Sequence, residues 1–74
     1  MAFEDVEFYP VSSSNVAEYG YDFEESVLYV KFLNGYIYWY SEVPPEVWDA
    51  FLYAPSKGKF VHYDLKNVYP YGRL

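Results

Sequence analysis

The feature that most constrains this chain is a dipeptide. Asn34-Gly35 sits between two runs rich in β-branched and aromatic residues, Ser26-Val-Leu-Tyr-Val-Lys-Phe-Leu33 and Tyr36-Ile-Tyr-Trp-Tyr40. Asn-Gly suits two successive positive-φ positions, so the reading is a type I′ hairpin with a two-residue loop. Such a loop fixes the register, setting Leu33 opposite Tyr36, Phe32 opposite Ile37, Val30 opposite Trp39 and Leu28 opposite Ser41. Alternation then predicts a core face of Leu28, Val30, Phe32, Ile37 and Trp39. The other face would gather Val27, Tyr29, Lys31, Leu33, Tyr36, Tyr38 and Tyr40, a patch of rings around one ammonium group.

The flanks extend this unit. Asn15 to Tyr21 alternates well enough for a third strand, with Asp22-Phe-Glu-Glu25 as the turn into the hairpin. Pro44-Pro45-Glu46 reads as a helix start, because a proline in the first turn sacrifices no intrahelical hydrogen bond and Glu46 and Asp49 suit the positive end of the dipole. Val47, Trp48, Phe51 and Leu52 recur at helical spacing and form a stripe able to cover the sheet. Pro55 ends that helix, and Ser56 is placed to cap a second helical turn carrying Phe60, Val61 and Leu65 inward, before an extended Tyr69-Pro70-Tyr71. The expected fold is therefore α+β: a three-stranded antiparallel meander with a central Asn-Gly hairpin, covered by one short helix and a second helical turn. With 74 residues, no repeat and no linker, residues 1–74 are read as a single domain with one modest core.

The core must be aromatic. There is no cysteine to staple so small a chain, and rings make up 26% of it, each able to bury on the order of 150 to 250 Å². Eleven of the rings are tyrosines, whose hydroxyls want water or a partner, so many are expected at a surface. The N-terminus has no basic start and no apolar run of signal-peptide length, and no stretch is long enough to span a bilayer, so the expectation is a cytoplasmic protein without a membrane partner.

Charge narrows the partner. The formal net charge of -6 argues against a general phosphate-backbone binder. It is unevenly placed: up to Ser56 there is one Lys against ten acids, a net -9, whereas Lys57 to Leu74 carries +3. In the simplest reading the basic tail folds back on the acidic body.

No constellation of residues asks for catalysis. His62 is the only histidine and has no neighbour at a spacing that would converge with it, so it reads as an ordinary imidazole. Asp22, Glu24 and Glu25 lack the alternating oxygens of a calcium loop and read as a solvated turn. Ser12, Ser13 and Ser14 have no visible base. The expectation is no enzyme, no metal and no cofactor. Ser56-Lys57-Gly58-Lys59 is a candidate anion site, since Gly58 permits close approach to a capped helix start flanked by two lysines; Lys66 and Arg73 could add to it.

The ordered set Val11 to Val16, Gly20-Tyr-Asp22, Leu28 to Phe32 with Asn34-Gly35, Tyr38-Trp-Tyr40, Val43-Pro44 and Ala54-Pro-Ser-Lys-Gly58 through Tyr69 resembles the KTSC domain family. That family is named for a segment at the C-terminus of some lysyl-tRNA synthetases and is mostly seen as small stand-alone proteins of bacteria and their phages. The resemblance covers residues 11 to 71 and implies neither an established reaction nor a cofactor.

Two functional expectations follow. The first is a protein-interaction module, for instance a phage or mobile-element factor modulating a host protein, that binds through Tyr29, Lys31, Tyr36, Tyr38 and Tyr40. The alternative is an accessory module for nucleotides or nucleic acid, RNA or tRNA included, that holds phosphate with Ser56, Lys57, Gly58, Lys59, Lys66 and Arg73. Net charge disfavours nucleic acid, a homo-oligomer stays open, and the N-terminal Phe3 to Tyr9 or the C-terminal Tyr69 to Tyr71 is the available cover for the tyrosine face.

Overall fold

In a computed structural model, which describes residues 5–74, an antiparallel sheet carries two helices between its last two strands. The strands are β1 (Phe8–Pro10), β2 (Val16–Asp22), β3 (Val27–Phe32), β4 (Ile37–Tyr40) and β5 (Tyr71–Arg73), and they lie side by side in chain order. The sheet thus has five strands rather than three. The two additions are three-residue edge strands too short to leave a period in the sequence. They replace the expected covering role of the termini: Phe8 to Pro10 pairs beside β2, and Tyr71 to Arg73 beside β4. Phe3 and Glu4 of the expected N-terminal cover lie outside the described residues.

The β3–β4 register differs by one residue from the type I′ expectation. Leu28 faces Tyr40, Val30 faces Tyr38 and Lys31 faces Ile37. The cause is the turn. The Gly35 N–H donates to the Phe32 carbonyl and the Phe32 N–H to that of Tyr36, each at 2.9 Å, which closes a three-residue loop. Within this loop only Gly35 takes a positive φ, +94°, while the Asn34 side chain accepts the Tyr36 N–H at 3.0 Å. This is a type I turn with a glycine bulge, and the extra loop residue flips every β4 side chain relative to the expected faces. Tyr38 and Tyr40 therefore share a face with Leu28 and Val30, while Ile37 and Trp39 join Tyr29 and Lys31 on the other.

A second irregularity, between Val16 and Glu18 in the β2–β3 ladder, lets Val16 point inward along with Tyr19 and Tyr21. Onto this face packs α1 (Pro45–Tyr53), which begins with Pro45 after Pro44 and buries Trp48 and Phe51. The next helix, α2 (Lys57–Phe60), starts at Ser56, whose Oγ accepts the Lys59 N–H at 3.2 Å, and runs into a π-helical turn over Val61–Leu65. Val16, Leu28, Val30, Val43, Phe51 and Leu65 are fully buried between the layers, and Tyr21, Tyr40 and Trp48 nearly so. At about 25 cal/mol per Å², burying rings of this size gives a cysteine-free domain its stability.

Candidate functional site

A cleft of 570 Å³ opens where the chain leading into β1 passes the far end of β2. Gly20 shapes it. A Cβ there would meet the Glu7 carbonyl oxygen at 2.6 Å and Val6 Cγ1 at 2.9 Å, so a side chain at this position would push the segment before β1 off the sheet. The walls are rings: Tyr9, Tyr19, Tyr21, Phe23 and Trp48. Tyr21 stacks on Trp48 at 5.2 Å with 9° between planes, and Phe23 meets Tyr21 edge-on at 4.8 Å. Tyr19 meets Trp48 and Phe51 edge-on at 5.7 and 5.1 Å. Pairs of this kind are stiff, so the walls are built before anything binds.

Among these rings stand four carboxylates, Asp5, Glu7, Asp22 and Glu24; among the described residues no basic side chain lines the cleft, the Lys57 Nζ coming to 5.9 Å from the Tyr19 ring centroid. Their field acts on the tyrosines. The Tyr9 hydroxyl donates to Glu7 Oε1 at 2.9 Å, and this bond, with the carboxylate charge, raises its pKa. Burial raises that of Tyr21, whose hydroxyl donates to the Val43 carbonyl; a hydrogen bond with Ser26 works the other way, and the charges of Glu46 and Asp22 add to the rise.

Asp22 corrects the expectation of a solvated turn. Only 4% exposed, it accepts the Glu24 and Glu25 N–H groups on Oδ1 at 3.0 and 3.1 Å, whereas the neighbouring Glu24 and Glu25 are exposed. Its second oxygen, Oδ2, is buried and has no hydrogen-bond partner among the described residues. A buried charged oxygen left so costs free energy unless something donates to it. Among the described residues no group of three or more His, Asp or Glu side chains is arranged to hold a metal ion.

The residues expected to hold an anion do not come together. Ser56 is used by its cap, and Lys57 Nζ donates to the Leu52 and Ala54 carbonyls at 2.9 and 3.1 Å, closing the open end of α1. Gly58 lies against the Asn15 side chain. Arg73 sits on the Tyr36 ring, 4.3 Å from its centroid. Gly58 and Lys66 do meet, in a second cleft of 380 Å³ that also takes in Asn15, Asn34, His62, Tyr38, Tyr40 and Tyr71 and has no carboxylate. Ser56 and Lys59 border a third, smaller hollow of 180 Å³ with Tyr63 and Asp64. His62 is exposed, its ring edge-on to Tyr63.

The expected tyrosine face is divided by the register. Tyr38 and Tyr40 turn to the helix side, where Tyr40 stacks on Tyr71 at 5.8 Å and burial, aided by Tyr38 and Tyr71, pushes its hydroxyl pKa up to about 12. Tyr36 is at the hairpin end under Arg73. Tyr29 and Lys31 remain on the other face, with the Phe8 ring 6.1 Å from that of Tyr29. Sequence reasoning missed Tyr9, Tyr19, Tyr21, Phe23 and Trp48 as a group. The available signal was the alternation of Tyr19, Tyr21 and Phe23 beside a run of acids, although nothing local says that the segment before β1 would form the opposite wall.

Comparisons with known proteins place this arrangement. The crystal structure of a KTSC domain protein from Yersinia pestis superposes with a TM-score of 0.85 at 31% identity, covering 93% of this chain and 97% of that one. A protein of Tsukamurella paurometabola is 49% identical over 53 residues, 72% of this chain and 79% of its own length. An uncharacterized protein of Stutzerimonas stutzeri is 40% identical over 65 residues, 86% of this chain and 92% of its own length. With the model of the KTSC domain matching residues 12–69 as well, the chain belongs to the KTSC domain family.

Proposed function

We propose that this chain is a non-enzymatic binding module for a protein partner, and that the acidic aromatic cleft receives a basic segment of that partner. The observation that carries this reading is the composition of the cleft: five rings and four carboxylates around 570 Å³, while the chain's own Lys57, 5.9 Å from the Tyr19 ring centroid, is outside the lining and bonded to helix-end carbonyls. Aromatic walls supply contact area at low entropic cost, and carboxylates left uncompensated select a positively charged partner. The same field repels a phosphate backbone, and the residues that could hold phosphate are spent on helix caps or dispersed over separate hollows.

A peptide-display selection against the purified full chain tests the proposal. The expected outcome is enrichment of peptides that join basic to apolar residues. Phe23 is 67% exposed at the cleft, so Phe23→Ala should move stability by no more than about 1 kcal/mol while weakening those peptides by about 2 kcal/mol. Enriched peptides that ignore Phe23→Ala, or a selection that prefers acidic sequences, would refute it.

A further inference from the structure

We infer that the second cleft, of 380 Å³, is a site for one small organic anion, a phosphate monoester carried on a planar ring, independent of whatever the acidic cleft receives. The register places its floor. Tyr38 pairs with Val30, and Tyr40 with both Leu28 and Tyr71, so these three rings stand on the helix side of the sheet, and Phe32, two residues on from Val30, joins them with its ring edge-on to Tyr38 at 5.5 Å. Tyr38 is half-buried and Tyr71 40% exposed, so both are within reach of a ligand, whereas Tyr40 is buried. The helical segment after Ser56 forms the other wall, with Gly58, Val61, His62 and Lys66.

The polar side chains at this cleft have donors to spend. Asn34 uses its oxygen on the Tyr36 N–H, at 3.0 Å, which leaves its amide nitrogen for a ligand. Ser13 Oγ accepts the Asn15 and Val16 N–H groups at 3.3 and 3.2 Å, so its own proton goes to Asn15 Oδ1, at 3.3 Å, and the Asn15 nitrogen is likewise left over. Exposed Lys66 adds an ammonium, and exposed His62, four residues before it, an imidazole. Among the described residues no carboxylate lines the cleft, and Asp64, the one acid after Ser56, borders the third hollow instead. In a chain of net charge -6, such a place selects an anion. A phosphate monoester brings three strong acceptor oxygens and a charge of about -1.5 to -2, against two oxygens and one charge for a carboxylate, and so draws more from donors spread around a rim. The tyrosines supply stacking for a planar ring beside it. The volume, near the lower end of the range for small-ligand sites, holds one such molecule and not a run of polymer backbone, which the net charge repels. Gly58 keeps the Asn15 amide where it is, since a Cβ at that position would run into it. The obstacle is the tip of a flexible side chain, so an alanine there displaces Asn15 without disturbing the fold.

The test follows the His62 ring and the Trp48 indole of the full chain by NMR while phenyl phosphate, uridine monophosphate, their phosphate-free counterparts phenol and uridine, and inorganic phosphate are titrated in separately. At least one of the two ring-borne phosphates should shift His62 saturably with Trp48 at rest, and bind about tenfold or more tightly than inorganic phosphate and than its own phosphate-free counterpart. Which of the two binds more tightly tells a phenyl source from a nucleobase. Lys66→Ala should weaken that binding about tenfold at an unchanged melting temperature, whereas Lys59→Ala, which removes the same charge beside the third hollow, should leave it as it was. Gly58→Ala should melt at or above the wild-type temperature, alanine being the better helix former, and still weaken binding about threefold or more. Ring-borne phosphates that bind no better than inorganic phosphate overturn the inference. So does an equal loss on Lys59→Ala and Lys66→Ala, which would mark a diffuse attraction to the basic tail, or a Gly58→Ala protein that binds normally. The protein-binding reading is tested by basic peptides at Trp48, so it stands or falls separately from this one.

Discussion

Two clefts border the helix-covered side of the sheet, and they are alike in rings and opposite in charge. The larger is walled by Tyr9, Tyr19 and Tyr21 with four carboxylates and no base; the smaller by Tyr38, Tyr40 and Tyr71 with Lys66, His62 and no carboxylate. Tyrosines set the shape of both, so the difference in what each can receive comes from charge. That difference is topological in origin. The first cleft is built wholly from residues before Ser56, where acids outnumber bases ten to one, whereas the second takes its lysine, Lys66, from the end of the π-helical turn. The asymmetry along the chain becomes an asymmetry in space, because β1 and β2 lie at one edge of the sheet and β4 and β5 at the other. The basic tail need not neutralise the acidic body, since the two are held at different places.

Removing what the two clefts share should give the largest effect. Phe51 is fully buried, meeting Tyr19 at 5.1 Å on the side of the first cleft and, at 5.4 Å, Phe60 of α2, the helix whose Gly58 lines the second. Phe51→Ala is expected to cost about 3 to 5 kcal/mol in urea unfolding and to disturb both clefts together. A response at only one of them would show that they rest on separate cores. A smaller effect should mark the second cleft alone. The Tyr40 hydroxyl has a folded pKa of about 12 against an ordinary 10.0, so its contribution to stability is complete below pH 10 and is lost as the pH rises through 12, where the unfolded chain ionises and the folded one resists. Tyr40→Phe should flatten that alkaline loss by about 2 kcal/mol between the two values while leaving peptide binding at the acidic cleft unchanged. An identical alkaline profile would mean that the hydroxyl reaches solvent freely.

The parts of this fold that were legible in the sequence are those with a period or a punctuation mark. The alternation of Asn15 to Tyr21 marked β2, the β-branched and aromatic run after Ser26 marked β3, Pro45 marked the start of α1, and Ser56 marked a cap whose bond to Lys59 is present. What escaped was set by single residues acting at a distance from their own signal. Asn34-Gly35 names a turn, yet two turn types accept it, and they differ by one loop residue and hence by the face of all of β4. β1 and β5 are three residues each and exist only because a paired edge was waiting for them. The acidic cleft was illegible for the same reason, since its walls come from separate segments and Asp22 differs from the exposed Glu24 and Glu25 only in where the strand leaves it.

The central claim is that the acidic cleft, and neither the opposite face of the sheet nor the basic cleft, is where this module binds its protein partner. A single titration decides it: a short basic aromatic peptide added to the full chain, with the Trp48 indole, the Trp39 indole and the His62 ring followed together by NMR. Trp48 lines the acidic cleft, Trp39 lies over Gly72 on the opposite face of the sheet, and His62 lines the second cleft. The account predicts saturable movement of Trp48 while Trp39 and His62 stay still. Movement of Trp39 or His62 with Trp48 at rest would contradict it.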